Sequence, residues 1–149
     1  MKLIENVKGT KGELHIVLRD EAGNVTQEVT VPNLVVTTGL NYIASRMKDA
    51  TATAMTHMGV GSGTVDPAAG DTALGTALGA RIALTSTTVT ANAIEYVATF
   101  APGSGTGAVT EAGIFNALTS GTMLCRTEFA VINKGASDSM TITWTVTVS

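Results

Sequence analysis

Few residues in this sequence have side chains suited to acid–base or metal chemistry. The only two histidines, His15 and His57, lie in different strand-like runs, with no Asp, Glu or Cys at metal-ligand spacing from either. Two ligands do not define a zinc site, so we expect both histidines to be solvated or hydrogen-bonded. A Ser-His-Asp triad has no support either, because no nucleophile elbow or comparable sequence context is present.

Three glutamates and one cysteine complete the candidates for chemistry. Glu95 together with Glu111 or Glu128 would make a pair of carboxylates, but isolated glutamates in strands more often face solvent. The single Cys125 excludes an intramolecular disulfide and a multi-cysteine zinc site, and we expect it to be a buried small hydrophobe. The sequence therefore predicts no enzyme, no catalytic residue, no metal and no cofactor.

Two glycine clusters raise the question of a phosphate-binding loop. One is "GVGSGT", with Gly59, Gly61 and Gly63, and the other is "GSGTG", which begins at Gly103. A phosphate loop needs a preceding strand, a following helix and usually a lysine or an acidic partner. Neither cluster has this context, so we expect both to be tight or flexible connections.

Composition indicates one domain with an unusually neutral surface. The chain has 149 residues and a net charge of −3, which gives no electrostatic reason to expect nucleic acid as a partner. Residues 50–149 carry only nine charged side chains, whereas the whole chain carries 25 threonines. Two interpretations remain open: a neutral β-surface kept soluble by hydroxyls, or a surface that is desolvated in an assembly.

The sequence shows no targeting or membrane signal. The first 15 residues contain no apolar stretch of signal-peptide length, and no long apolar run follows. We therefore expect a soluble protein that is synthesised in the cytoplasm and has no membrane partner.

Period-two alternation predicts an all-β fold. In the C-terminal stretch "SMTITWTVTVS" the apolar side chains alternate strictly with Thr141, Thr143, Thr145 and Thr147, as a half-buried strand requires. Residues 12–33 read as a β-hairpin that turns at "EAGN", with Pro32 ending the second strand or keeping it at a sheet edge. Further strand-like runs, separated by turn signals, are "AMTHMGVG", "RIALTSTTVT", "AIEYVATF", "VTEAGIFNA" and "LCRTEFAVIN".

These runs are short and regularly spaced, which is typical of antiparallel sheets. We predict a single domain over residues 1–149, a mainly antiparallel β-sandwich of jelly-roll or related type. A long loop between the third and fourth runs has room for one helical turn near Leu74.

One short helix is predicted at about residues 39–48. Thr37 or Thr38 is placed to cap its N-terminus, since threonine oxygens accept hydrogen bonds from the first backbone amides. The residues at helical spacing, which should face the core, are Leu40, Ile43, Ala44 and Met47.

The threonine row suggests contact with another subunit. We expect Thr141, Thr143, Thr145 and Thr147 to form an assembly surface, since charge is sparse in the last hundred residues. An uncovered strand edge there would also be a hazard that free monomers normally blunt with lysine or proline.

Several motifs in residues 33–149 resemble one class of proteins. They are "HMGVGSGT", "DTALGTAL", "VTEAGIFNA" and "GTMLCRTEFAVINKGASDSMTITWTVTV". Together they resemble small virion structural proteins of tailed bacteriophages, either of the capsid decoration type or of the tail-fibre and collar attachment type. The residues that mark the resemblance as structural motif positions are Glu111, Gly113, Phe115 and Trp144.

The resemblance implies a β-sandwich that packs against other virion subunits. Its first implication is a capsid decoration (cement) protein on the virion surface, which binds the major capsid protein and forms homo-oligomers in the particle. The chain ends at its last core strand, which favours decoration over a tail-fibre or collar adaptor. The hairpin at about residues 12–33 would then be an assembly arm. A sugar-binding β-sandwich is a further alternative, but it would need aromatic side chains exposed at loop tips.

Overall fold

The computed structural model describes residues 10–48 and 52–148. Within these residues the chain forms one helix, α1 (Thr37–Arg46), and nine strands. The strands are β1 (Lys11–Arg19), β2 (Val25–Val35), β3 (His57–Gly61), β4 (Ile82–Ala83), β5 (Ser86–Thr90), β6 (Ala93–Phe100), β7 (Gly107–Phe115), β8 (Met123–Lys134) and β9 (Ser139–Thr147). The described helix is too short to cross a membrane.

All nine strands belong to one antiparallel sheet in the order β4-β3-β7-β8-β2-β1-β9-β6-β5. The prediction of an all-β, mainly antiparallel fold with one short helix is confirmed. The sheet curls into a half-barrel, however, and is not a clear sandwich of two separate sheets. We call the strands β5-β6-β9-β1-β2 the threonine half and the strands β2-β8-β7-β3-β4 the glycine half.

Strand β2 joins the two halves because it changes partner along its length. Its residues from Val25 to Asn33 pair with β1, whereas Leu34 and Val35 pair with β8. Pro32 lies just before this change, and its carbonyl oxygen accepts a hydrogen bond of 2.7 Å from the Thr127 hydroxyl. Both alternatives predicted for Pro32 are wrong, since β2 continues past it to Val35 and lies between β8 and β1 inside the sheet.

The core fills the concave side of the half-barrel. In β9 the apolar residues are buried and the threonines are only partly exposed, as the alternation predicts. Trp144 has no exposed surface, and it pairs with Leu14 of β1 on one side and with Tyr96 of β6 on the other. All three side chains belong to the main core cluster.

The N-terminal hairpin lies in the middle of the sheet. Strand β1 is hydrogen-bonded to β2 on one side and to β9 on the other, and its inward residues Leu14, Ile16 and Leu18 are buried. Only its turn extends beyond the sheet, where Gly23 has a positive φ and Asn24 N–H donates to the Asp20 carboxylate. The strands of the hairpin therefore act as core elements and not as a separate arm.

One short helix is confirmed, although it begins and ends two residues earlier than predicted. Its predicted cap is wrong, and of its predicted core face only Ile43 packs against the core. The N-cap residue is Val36, whose side chain cannot form a hydrogen bond, and the Thr38 hydroxyl donates to the Met123 carbonyl of β8. Gly39 is the buried residue of the helix, and a Cβ there would overlap the backbone of Leu124. This close backbone contact turns Leu40 and Met47 outward, leaving 48% and 85% of their surfaces exposed.

The run "RIALTSTTVT" is divided between the two halves of the sheet. Leu84 N–H donates to Thr56 O just before β3, whereas Thr85 N–H donates to Val97 O in β6. One predicted strand thus becomes β4 at one edge of the sheet and β5 at the other. The sequence led us to expect the threonine row of β9 at a sheet edge. In the structure β6 and β5 lie between β9 and that edge. The predicted helical turn near Leu74 is also wrong, since that segment is irregular loop.

The two faces of β9 predict very different mutational costs. We expect Trp144→Ala to lower the free energy of unfolding by about 3–5 kcal/mol, because it removes a fully buried aromatic side chain and leaves a cavity. Thr145→Ala, on the partly exposed face, should cost less than about 1 kcal/mol. Urea denaturation of the two variants measures both values, and equal losses would contradict the assignment of faces.

Candidate functional site

The glycine half carries a second layer on its outer face. Residues 62–81 form a long loop that crosses β3, β7 and β8, and every residue of β7 from Val109 to Phe115 is buried as a result. Beneath this loop lies Glu111, whose surface is entirely inaccessible to solvent. A charged side chain in such a position needs full compensation by hydrogen bonds and opposite charge.

The Glu111 carboxylate accepts five hydrogen bonds. Its Oε1 receives the backbone N–H groups of Gly63 at 3.0 Å and Thr76 at 2.8 Å. Its Oε2 receives the Gly75 N–H at 2.9 Å and two bonds from Arg126, from Nε at 3.1 Å and Nη2 at 2.8 Å. Since a carboxylate offers about four lone-pair sites, Glu111 has none left for an external ligand.

Arg126 extends this network to two further parts of the loop. Its Nη1 donates to Asp71 Oδ2 at 2.8 Å, and its Nη2 also donates to the Val65 carbonyl at 2.9 Å. Asp71 in turn accepts a bond from the Ala68 N–H. The loop is thus held near both of its ends and in its middle by a cluster of three charged side chains, which we call the loop anchor: Glu111, Arg126 and Asp71.

The loop anchor shifts the acidities of its members. Burial alone would raise the pKa of Glu111, but the bonds from the Thr76 and Gly75 amides and from Arg126 outweigh it, so this pKa lies below the ordinary value. The pKa of Asp71 is lowered mainly by the Ala68 N–H and further by Arg126. Both carboxylates therefore stay ionised in the folded protein at neutral pH.

The first glycine cluster cradles an anion that belongs to the protein itself. A Cβ at Gly61 would overlap both the Thr76 carbonyl oxygen and the Glu111 carboxylate, and a Cβ at Gly63 would lie 2.6 Å from Glu111 Oε1. The absence of side chains lets the loop backbone approach the carboxylate closely enough to donate hydrogen bonds. The prediction that "GVGSGT" is a tight connection is refined accordingly, since Gly59 and Gly61 lie in β3 itself.

A second contact packs the same loop onto the sheet. Gly59 and Gly113 face each other across β3 and β7, and a Cβ at Gly113 would lie 3.1 Å from the Phe115 ring and 3.2 Å from Leu74. Beside these two glycines, which have no side chains, the Phe115 ring lies under the Arg81 guanidinium. The guanidinium carbon is 3.5 Å from the ring centroid. Arg81 also donates to the carbonyls at 117 and 120, which links the loop to the turn before β8.

Glu95 does not come together with Glu111 or Glu128. Glu111 is buried, so the expectation that it faces solvent is wrong; Glu95 lies exposed on β6 in the other half of the sheet. Glu128 pairs with Glu111 across β7 and β8, but the Glu111 carboxylate is already saturated. No group of three or more His, Cys, Asp and Glu side chains suited to a metal ion occurs in residues 10–48 and 52–148.

The remaining candidates behave as structural residues. His15 Nε2 lies 2.6 Å from Glu28 Oε1, and His57 Nδ1 lies 2.8 Å from the Thr56 hydroxyl, which confirms that both are hydrogen-bonded. Cys125 is fully buried as predicted, and burial raises the pKa of its thiol. The second glycine cluster connects β6 to β7 as expected, and its glycines at 103, 105 and 107 have positive φ.

The outer face of the threonine half has no covering layer among the described residues. Its central row is Thr141, Thr143, Thr145 and Thr147, all partly exposed. The row is less isolated from charge than its sequence indicates, because Thr145 lies between Glu13 of β1 and Glu95 of β6. Around Thr141 and Thr143 the neighbouring side chains on β6 are the uncharged Thr99 and Val97. On β1 the neighbours are Val17 and His15, and His15 is hydrogen-bonded to Glu28 of β2. The surface is therefore uncharged only on the β6 side of Thr141 and Thr143, and it is acidic around Thr145.

Comparison with protein-family models, curated proteins and solved structures found no match for this chain.

The loop anchor predicts a large and pH-dependent effect for Glu111→Gln. The amide cannot accept five hydrogen bonds and leaves Arg126 buried without its main counter-charge, so we expect a loss of about 3–5 kcal/mol in unfolding free energy at neutral pH. The pKa of Glu111 is lowered in the folded state, so its contribution is complete above the ordinary carboxyl pKa of about 4 and is lost as pH falls below it. The difference between wild type and variant should therefore shrink in acid.

Urea denaturation at neutral pH and at acid pH measures this difference. Glu95→Gln is the matched control, because Glu95 is exposed and should change stability by less than about 0.5 kcal/mol. A Glu111→Gln variant as stable as Glu95→Gln at neutral pH would show that the anchor does not hold the loop.

Proposed function

We propose that this protein is a virion structural protein of a tailed bacteriophage, a capsid decoration protein that binds the major capsid protein through the outer face of its threonine half. The observation that carries the proposal is the asymmetry of the sheet. The outer face of the glycine half is covered by residues 62–81, whereas that of the threonine half is uncovered in the described residues. A partner subunit is the natural cover for this second face.

The motifs behind the resemblance to phage virion proteins support a structural role. "VTEAGIFNA", "TMLCRTEF" and "DTALGTAL" contribute the three members of the loop anchor. "HMGVGSGT" and "DTALGTAL" also contribute the Gly63, Gly75 and Thr76 amides that Glu111 binds. These residues hold one layer of the protein onto another. The motifs that carry the resemblance therefore stabilise the fold. This supports a structural role in an assembly.

The chemistry of the uncovered face suits a protein partner. On the β6 side of Thr143 it presents threonine hydroxyls and Val97, and hydroxyls form hydrogen bonds on burial without the desolvation cost of charges. On the β1 side it presents His15, which is hydrogen-bonded to Glu28. Many copies in a shell would each need only a modest contact, because simultaneous engagement raises the effective concentration. We therefore propose that Thr143 and its neighbours on β6 form the centre of the contact, with Glu13, Glu95 and Glu28 around it.

A sugar-binding function has less support. The chain has six aromatic residues, and all of them are buried or half-buried: Tyr42, Tyr96, Phe100, Phe115, Phe129 and Trp144. A stacking platform for a sugar ring needs an exposed aromatic side chain, so we do not propose this function.

A charged residue on the uncovered face tests the proposal. We expect Thr143→Lys to weaken retention on particles of the phage that encodes this chain at least tenfold, because a lysine would be desolvated at the centre of the contact. Thr64→Lys is the matched control, since Thr64 is exposed in the loop over the opposite half of the sheet. Quantitative mass spectrometry of washed particles measures retained copies, after circular dichroism has confirmed that both variants fold.

The same measurement gives the copy number per particle. Hundreds of copies agree with a shell component, whereas about a dozen would instead indicate the tail-fibre or collar adaptor. Particles that contain no copy of this chain, or equal retention of the two lysine variants, would contradict the proposal.

A further inference from the structure

Strand β5 is an open edge of the sheet without any of the usual protective features. Among the residues that the structure describes it pairs only with β6, and all five of its residues, Ser86–Thr90, are exposed. An edge strand presents a row of unpaired backbone N–H and C=O groups, which proteins normally protect with lysine, proline, a bulge or a covering segment. The sequence "STTVT" has no charge and no proline, and no described residue covers it. The opposite edge, β4, is only two residues long.

We infer that β5 pairs with β5 of a second copy of this chain, in an antiparallel arrangement about a two-fold axis at Thr88. The proposal does not rest on the function proposed above. Such a contact is isologous, so the same five residues must complement themselves when reversed.

The sequence of β5 meets this requirement. On the outer face the pairs would be Thr88 with Thr88 and Ser86 with Thr90, and cross-strand hydroxyl pairs of this kind are favourable. On the concave face the pair would be Thr87 with Val89, both β-branched residues that suit a sheet. No pair brings two charges together.

The surroundings of β5 also tolerate a second copy. The nearest charge in the register of the sheet is Glu95, opposite Thr88 on β6. Two copies of Glu95 would be separated by three strand spacings, about 14 Å, which exceeds the Debye length of about 8 Å at physiological salt. Their repulsion is therefore largely screened.

An apolar groove beside β5 adds to the contact. It has a volume of about 300 Å³ and is lined by Val89, Ile94 and Tyr96 on the sheet and by α1 on the other side. Val89 is 69% exposed at its rim, and pairing would place a second copy's Thr87 beside it. A single five-residue edge buries less than about 1,200 Å², so we expect a weak dimer that becomes populated as concentration rises.

Sedimentation velocity of the isolated protein tests this inference. The protein concentration is varied from about 10 μM to 1 mM, which spans the dissociation constants of weak dimers. The weight-average mass of the wild type should rise from 15.2 kDa towards twice that value. Thr88→Lys would place two lysines opposite each other on the axis and should weaken association at least tenfold. Thr30→Lys, an exposed outward threonine on β2 far from β5, should associate like the wild type.

Amide hydrogen exchange locates the contact, since residues 86–90 should gain protection with concentration in the wild type and in Thr30→Lys but not in Thr88→Lys. A wild type that stays at 15.2 kDa over the whole range would overturn the inference, as would equal association of the two lysine variants. Loss of association on removal of residues 1–9, with Thr88→Lys unaffected, would also overturn it and assign the contact to that segment. These results do not depend on phage particles, so they are independent of the test of capsid binding.

Discussion

The buried charge of Glu111 is the constraint on which the glycine half of the molecule depends. A carboxylate without access to water must be compensated, and here three backbone amides and Arg126 supply the compensation. Those amides belong to a loop that has no regular structure of its own between residues 62 and 76. The hydrogen bonds that offset the cost of burying the charge therefore also fix the path of this loop. The loop in turn buries the outer face of β7.

This arrangement leaves the two halves of one sheet with different surfaces. The loop, Phe115 and Arg81 give the glycine half a second layer, and the threonine half keeps one face exposed. Both proposals follow from that difference, because an uncovered sheet face rich in threonine and an unprotected edge strand are surfaces that a neighbouring subunit could use. They concern different parts of the same half, Thr143 in its centre and Thr88 at its edge, so one particle could use both.

Much of the fold follows from periodicity, but the site does not. Alternation in β9 predicted the burial of Trp144 and the exposure of its threonines, because period two is a local property of a strand. The loop anchor depends on groups far apart in sequence: Gly63 and Thr76 bind a glutamate more than thirty residues later. One signal was present, since Glu111 and Arg126 are opposite charges that each interrupt an apolar strand. The helix face was mispredicted for a similar reason, because the contact of Gly39 with β8 outweighs the local pattern.

Hydrogen exchange of the native protein tests the central claim most directly, namely that the Glu111 carboxylate holds the loop. If it does, the amide protons of Gly63, Gly75 and Thr76 should exchange only when the domain unfolds, although all three lie outside the strands. The exposed loop amides of Gly70 and Thr72 should exchange rapidly in the same sample. Exchange of Gly63, Gly75 and Thr76 as fast as that of Gly70 would contradict the account, since it would show that the loop opens without breaking the core.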